Sequence, residues 1–344
     1  MATENYPIDF IITWVDGNDP EWQAEKAKYK KSTGDARANR YREWDTLRYW
    51  FRGVEKFAPW VNNIYFVTCG HRPSWLNTDH PKLKIVNHRD YIPEEWLPTF
   101  SSRPIDMNFH RIPELSEHFV YFNDDMFLIS KTERTDFFIK GLPCDAAIQN
   151  VVVPKGKDDN GDKLIGDSLY TPVFYNTAVL NRNFDKKKVI KANRAKWFSS
   201  RYGKQMFKNL LLNYWNYFTG FQTVHLPYSY LKETYREVWE KEPEILSQAC
   251  EHKFRTATDV NHYIFSYWQF ANGTFMPRDL STGSLMPICN DEQRNQRIYD
   301  AIQGQKLKFI CVNDQFSGNN YDEVNGQLVS SFEKILPEKS GFER

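Results

Sequence analysis

Three short apolar runs in this chain each end in acidic or amide side chains, and that pattern constrains the fold more than any other feature. Phe10–Val15 runs into Asp16-Gly17-Asn18-Asp19-Pro20. Phe119–Phe122 runs into Asn123-Asp124-Asp125, and Lys308–Val312 into Asn313-Asp314. A short apolar run closed by turn residues reads as a buried strand. Asn63–Thr68 and Leu83–Asn87 add two more strands. Between them, Leu47, Trp50, Phe51, Val54 and Phe57 repeat at helical spacing within Asp45–Phe57, and Pro59 stops that helix. Glu21–Lys31 is charged and predicts a solvated helix. Strands alternating with helices predict a layered α/β fold with a largely parallel sheet.

Beyond the fourth strand the pattern changes. Residues 155–167 are polar and glycine-containing, which predicts an exposed loop or hairpin. From about Asp185 to Gly273 the spacing turns helical, with Leu231, Tyr235, Val238 and Trp239 on one face and Val260, Ile264, Tyr267 and Trp268 on another. The expected organisation is one catalytic domain over 1–320, with a helical subdomain inserted at about 185–275. Lys308–Val312 would return to the sheet, and 321–344 would form a peripheral tail.

In open α/β sheets, ligands bind outside the carboxyl ends of the strands. Three acidic strand ends converging there would repel one another unless a divalent cation neutralised them. Mg²⁺ or Mn²⁺ suits such oxygen ligands and shares them with phosphate oxygens. The alternative is that each Asp is an ordinary turn residue or helix cap. The run into Asn123-Asp124-Asp125 is similar to the acidic motif of metal-dependent nucleotide-sugar transferases. That suggests a sheet of their GT-A-like kind with the helical insert added. A diphosphate donor would also need cations nearby, and Arg42, Arg48, Arg103, Arg111, Lys253 and Arg255 are the candidates. A neutral-pH general base is most often His. Spacing alone does not choose among His71, His110, His225 and His252. His225 precedes Leu226-Pro227-Tyr228, which reads as a constrained turn before a helix. Nothing suggests a Ser-His-Asp triad, a nucleophile elbow, a P-loop or a glycine-rich dinucleotide loop.

Composition narrows the partners. A net charge of +1 gives no field that calls for nucleic acid. Aromatic residues reach 16%, which suits sugar binding but also suits a large core. The five cysteines are scattered, with no Cys-x-x-Cys pair. Together with a polar start, Met1 to Pro7, they predict a reduced, cytoplasmic protein without a zinc site. No apolar run approaches the roughly 20 residues of a membrane span, so any contact with the inner face of the plasma membrane would be peripheral. Trp197, Tyr202, Lys204, Phe207 and Lys208 could supply that contact, or the aromatics among them could be core.

Several segments in order resemble the Stealth family. That family includes bacterial capsule and exopolysaccharide phosphotransferases and the GlcNAc-1-phosphotransferase that tags lysosomal enzymes. The first is Ile8-Asp9-Phe10-Ile11-Ile12-Thr13-Trp14-Val15-Asp16-Gly17. The second starts at Arg40-Tyr41-Arg42-Glu43-Trp44-Asp45-Thr46-Leu47-Arg48-Tyr49 and continues through Phe57-Ala58-Pro59-Trp60. It closes at Tyr121-Phe122-Asn123-Asp124-Asp125. The third is His225-Leu226-Pro227-Tyr228 with His252-Lys253-Phe254-Arg255 and Asp259, and the fourth is Cys311-Val312-Asn313-Asp314. Two positions depart from the pattern: Gly70-His71 where Gly-Gln is frequent, and Ile105-Asp106 where Ile-Glu is usual.

The resemblance implies a catalytic His225 and a phosphate-steadying Arg255. Asp16 and Gly17 would help form the nucleotide-sugar site, with Arg48, Arg111 and Asp124 as further donor-site residues. Asp125 and Asp314 would hold Mg²⁺ or Mn²⁺. The implied reaction transfers sugar-1-phosphate from a nucleotide-sugar, such as a UDP-hexose or UDP-N-acetylhexosamine. The acceptor would be a hydroxyl of an oligosaccharide or lipid-linked glycan, and UMP would leave. His225 would act as a base or be phosphorylated in a two-step route. Two rivals remain: a metal-dependent glycosyltransferase that releases UDP, and a non-catalytic scaffold for glycan assembly.

Overall fold

The computed structural model describes residues 6–29, 42, 44–153 and 170–344. The expected loop at 155–167 lies outside the described residues. In chain order the strands are β1 (Ile8–Thr13), β2 (Ile64–Thr68), β3 (Leu83–Asn87), β4 (His118–Phe122), β5 (Met126–Leu128) and β6 (Phe138–Ile139). They continue with β7 (Leu142–Asp145), β8 (Tyr228–Leu231), β9 (Met276–Pro277), β10 (Gly283–Ile288) and β11 (Phe309–Asp314). The helices are α1 (Pro20–Lys28), α2 (Leu47–Phe57), α3 (Ser102–Asp106), α4 (Tyr170–Asn183), α5 (Lys186–Ala192) and α6 (Arg194–Trp197). They continue with α7 (Met206–Leu212), α8 (Lys232–Lys241), α9 (Pro243–Glu251), α10 (Tyr263–Asn272), α11 (Glu292–Gly304) and α12 (Tyr321–Ile335).

The main sheet has the order β3-β2-β1-β4-β8. β1 is apolar on both faces and almost wholly buried, so it takes the central place. β2, β3 and β4 run parallel to it, and β8 closes the edge antiparallel to β4. The chain steps outward from β1 to β2 and β3, then returns to β4 on the other side of β1. The order therefore reverses between β1 and β4, where such sheets open a crevice. Asp9 pins the opposite ends of these strands. Its carboxylate is buried and accepts from the Asn62 amide, the Asn63 N–H and the Ser116 N–H at 2.8–3.0 Å.

α2 buries the predicted apolar positions Leu47, Trp50, Phe51, Val54 and Phe57. Each such side chain contributes roughly 1.5–3 kcal/mol of transfer free energy. Gly53 lets α2 approach β5 closely, since a Cβ there would lie 2.8 Å from the Leu128 carbonyl oxygen. α1 buries nothing, as its charge predicts, and is capped by the Asp19 carboxylate on the Trp22 N–H.

Four expectations change. The 185–275 segment is not purely helical, because Tyr228–Leu231 extends and pairs with β4, so the following helix starts at Lys232. His225 therefore precedes a strand rather than a helix. The strand expected at Lys308–Val312 forms as β11, Phe309–Asp314, but it joins β10 and β5 in a separate three-stranded sheet. The 321–344 tail is not peripheral. Val324, Leu328, Phe332 and Ile335 line one face of α12 and join the main core, and Arg52 of α2 pairs with Glu343 at 2.7 Å. The tail is polar on average, but helical spacing gathers its few apolar residues on one side.

All five cysteines are free. No described helix is long and apolar enough to cross a membrane.

Buried neutral histidines make the fold acid-sensitive. Burial lowers His88 from 6.5 to about 3 and His110 likewise to about 3, and it lowers His262 well below its ordinary value. Above pH 6.5 each is neutral in both states. Below it the unfolded chain takes a proton that the native chain refuses, so stability falls as pH falls. Burial pushes the Asp106 carboxyl upward, which acts in the opposite sense. A single-site comparison isolates the effect. His88→Gln should be less acid-sensitive than wild type by about 1.4 kcal/mol per pH unit across the window from 6.5 towards 3, read from urea midpoints. Equal pH slopes for the two proteins would contradict this.

Candidate functional site

His225 stands a hundred positions from Asp125 in sequence, and sheet pairing closes that distance. Because β8 runs antiparallel to β4, with Tyr121 opposite Tyr228, the start of β8 lies at the carboxyl end of β4. His225 Nε2 comes to 3.7 Å from Asp125 Oδ2. The other ring nitrogen, Nδ1, sits 2.9 Å from the Tyr228 hydroxyl and 3.3 Å from that of Tyr263. Tyr228 donates onward to Tyr263 at 3.3 Å. His225 is held at φ +48°, in the left-handed region that a residue with a Cβ adopts at a cost. Strain of that kind persists where the surroundings fix a side chain for use.

Asp125 is shaped from the far side by β11. That strand runs antiparallel to β5, with Cys311 opposite Met126, and the Val312 N–H donates to the Asp125 carbonyl at 2.8 Å. Alternate residues of a strand face opposite sides. Cys311 and Asn313 therefore share the Asp125 side, and the Asn313 amide donates to Asp125 Oδ2 at 3.2 Å. Asp314 faces away from them. It accepts from Trp44 Nε1 at 3.1 Å and from the Phe316 N–H at 2.9 Å, and it pairs with Arg42 at 3.4 Å. Burial works against ionisation of Asp125. The neighbouring His225 ring, with help from Asn313 and Cys311, outweighs it and holds the carboxyl below its ordinary value. Burial pushes the Cys311 thiol far up, so it stays protonated.

Arg255 enters from the turn after α9 and donates to Ser102 Oγ of α3 at 2.7 Å. Its charge acts on Tyr121, His262 and Tyr263, which places it at the edge of the His225 cluster. The turn is wound around one buried carboxylate. Asp259 accepts from the Thr256 N–H at 2.8 Å and the Thr256 hydroxyl at 2.6 Å. It lies 2.7 Å from His252 and is ion-paired with buried Arg103 of α3. Arg103 also donates to the Thr256 carbonyl at 2.7 Å. His252 and Arg103 thus support Arg255 from behind.

The remaining predicted residues spread out. Asp16 and Gly17 follow β1 at the same edge of the sheet as Asp125. Asp16 accepts from the Asn18 N–H at 2.9 Å, and its own N–H donates to His71 Nε2 at 2.8 Å. The departure at position 71 therefore supplies a brace for the Asp16 turn. Asp124 is exposed, and its charge reaches Tyr121 and Cys311. Arg48 lies over the Trp75 ring at 5.3 Å, beside an open depression between α2 and α12. Arg111 stacks on Trp239 at 5.1 Å and donates to Asn108 at 2.9 Å. Neither arginine contacts the His225 cluster. The sequence reading missed Tyr228, Tyr263 and Asn313 as site residues. Only the fact that Tyr228 and Asn313 stand within the matched segments could have signalled them.

Asp125, His225 and Cys311 offer ligand atoms within 4.8 Å of one another. A thiol and an imidazole are poor partners for Mg²⁺ or Mn²⁺, which take oxygens. Asp125 alone in that group suits such an ion. Its Oδ1 is buried with no hydrogen-bond partner among the described residues, so it has an oxygen to offer.

Known proteins match the chain over its whole length. Residues 6–34 match Stealth protein CR1, conserved region 1, and residues 40–144 match Stealth protein CR2, conserved region 2. The chain is 41% identical over 341 residues to the capsular polysaccharide phosphotransferase WcwK of Streptococcus pneumoniae, covering 98% of each. It is 38% identical to the receptor polysaccharide phosphotransferase WefC of Streptococcus oralis, over 98% of this chain and 99% of that one. It is 36% identical to the exopolysaccharide phosphotransferase cps2G of Lactiplantibacillus plantarum, over 98% of this chain and 97% of that one.

Proposed function

This chain belongs to the Stealth family of polysaccharide phosphotransferases, and on that premise we propose that it moves sugar-1-phosphate from a nucleotide-sugar to a glycan hydroxyl, releasing UMP. The acceptor is an oligosaccharide or a lipid-linked glycan of capsule or exopolysaccharide synthesis. The main sheet serves in the manner of a GT-A-like nucleotide-sugar transferase, with the donor at the reversal between β1 and β4. What carries the reading is the setting of His225.

In the hydrogen-bond chain His225 Nδ1–H to Tyr228 to Tyr263, Nδ1 keeps the ring proton. Nε2 is then the free base, and it faces Asp125. His225 Nε2 would take the proton of the acceptor hydroxyl as that oxygen attacks the phosphorus next to the sugar. The imidazolium that forms is stabilised by the charge of the Asp125 carboxylate, 3.7 Å from Nε2. Arg255 would offset charge on the transferred phosphate. The anomeric carbon is not attacked. Mg²⁺ or Mn²⁺ would be held at Asp125, whose Oδ1 is unpartnered among the described residues, and would neutralise the diphosphate. Asp314 would join it only by leaving Arg42 and Trp44 and turning from the opposite side of β11.

The test is the nucleotide product. With Mg²⁺ or Mn²⁺, a panel of UDP-sugars and an oligosaccharide or lipid-linked acceptor, acceptor-dependent UMP is expected. Acceptor-dependent UDP would establish glycosyl transfer instead, and no acceptor-dependent product with any donor would favour a scaffold.

A further inference from the structure

One helix of this protein is turned inside out. α7 and the turn that follows it present Phe207, Leu210, Leu211 and Tyr214 at the i, i+3, i+4, i+7 spacing of a single apolar stripe, and that stripe faces water. Phe207 is 59% exposed, Leu211 73% and Tyr214 85%, with Leu210, Trp215 and Tyr217 exposed beside them. The face turned inward carries Leu212 and the fully buried Asn209, whose amide donates to the carbonyls of Ala147 and Trp197 at 2.7 and 2.6 Å. An amphipathic helix of a soluble domain normally has the opposite arrangement. A contiguous apolar patch of this kind marks an interaction surface.

The charge around the patch says what it meets. From Lys186 to Lys232 the sequence contains ten Lys and Arg residues and no Asp or Glu, in a chain whose net charge is only +1. The rest of the chain therefore carries −9 (+1 minus +10). Lys187, Lys188, Lys191, Arg201 and Lys204 of that segment are all exposed. Aromatic side chains beside aliphatic ones, rimmed by cations, match the headgroup zone of an anionic bilayer.

The backbone is prepared for a drier environment as well. Carbonyl groups that leave water need donors within the protein. Lys186 donates to the Leu212 carbonyl at 2.6 Å and to the Tyr217 carbonyl at 3.2 Å. Lys187 donates to the carbonyls of Asn213 and Tyr214. Beneath the patch, Trp197, Phe218 and Phe221 form a rigid apolar base. Trp197 and Tyr202, which the sequence offered as membrane contacts, are buried and belong to that supporting core, whereas Phe207 is on the surface as expected.

We propose that α7 and the 213–217 turn dock this protein peripherally onto an anionic phospholipid surface, with the apolar stripe in the interface and the acid-free segment against the headgroups. The same stretch of chain leads within a few residues to His225, and Lys208 ties it to Gln222 at 2.8 Å. Docking would thus hold the site beside substrates borne on the bilayer. The proposal stands apart from the chemistry of His225, because binding is measured without turnover.

Vesicle flotation tests it. Wild-type protein should bind vesicles of phosphatidylcholine mixed with phosphatidylglycerol, bind pure phosphatidylcholine weakly, and lose binding as salt is raised. The double variant Leu211→Ser, Trp215→Ser removes exposed side chains only, so it should fold normally and bind the anionic vesicles about tenfold or more weaker. Equal binding by variant and wild type, or no wild-type binding to anionic vesicles, would overturn the proposal. So would a wild-type dimer that the double variant abolishes, since that would assign the patch to a second copy of the chain.

Discussion

Replacing His225 with Ala is expected to lower turnover by about 10²–10⁴-fold, the usual worth of a positioned general base. Its ring lines a polar cluster rather than filling the core, so truncation opens no core cavity, although Ala suits the φ of +48° less well than His. Thermal midpoint and circular dichroism should therefore match wild type, so a loss of rate reports chemistry. Tyr228→Phe gives the graded companion. It removes the hydroxyl 2.9 Å from Nδ1 that keeps the proton on that nitrogen, leaving the base in place with its tautomer unspecified. About a tenfold loss of kcat is expected, with little change in KM. Near wild-type turnover in His225→Ala would remove His225 from the mechanism. Sugar-1-phosphate retained on wild-type protein, with UMP released, after donor alone would select the two-step route over direct attack.

The largest expected effect on stability comes from Arg103. Its guanidinium and the Asp259 carboxylate are almost completely buried, and each is the other's counter-charge. Arg103→Ala leaves Asp259 as an uncompensated charge in the interior, which costs about 3–5 kcal/mol. It also removes the donor to the Thr256 carbonyl, so the turn that carries Arg255 loses its tie to α3. The urea midpoint should fall sharply. Turnover should fall as well under conditions where the variant remains folded, because Arg255 is no longer held against Ser102. Asp259→Asn should also lower the urea midpoint, since the amide keeps hydrogen-bonding groups at the centre of the turn but leaves the buried Arg103 cation without its counter-charge. A small change in the urea midpoint for Arg103→Ala would show that the pair is not the anchor of this turn.

Much of the fold was legible because it depends on short-range spacing. The apolar face of α2 and strands β2, β3 and β4 were visible as periodic or continuous apolar runs, and the turn residues after β1 and β4 marked where each strand stops. Local patterns failed where a long-range partner set the outcome. Tyr230 and Leu231 carry a helix-compatible spacing, yet they extend because the edge of β4 offers backbone hydrogen bonds. Residues 321–344 look peripheral by composition, yet α12 and Phe342 complete the core against α2.

The sequence by itself determined which chemical groups this protein possesses and which family it belongs to, since matched segments survive as ordered strings of residues. It also determined that acidic turns would gather at one end of a parallel sheet, because a strand's carboxyl end is fixed by chain direction. Only the tertiary structure decided which groups meet. His225 reaches Asp125 because β8 runs antiparallel to β4, and no property local to either segment encodes that pairing. Strand alternation then turns Asn313 towards Asp125 and Asp314 towards Arg42 and Trp44, although the two residues are neighbours in the chain. Helix packing sends Arg48 and Arg111 to Trp75 and Trp239 and leaves Arg255 beside the cluster. The physical reason is common to all three cases: side-chain identity is local, whereas the direction a side chain points is set by the register and packing of elements far apart in sequence.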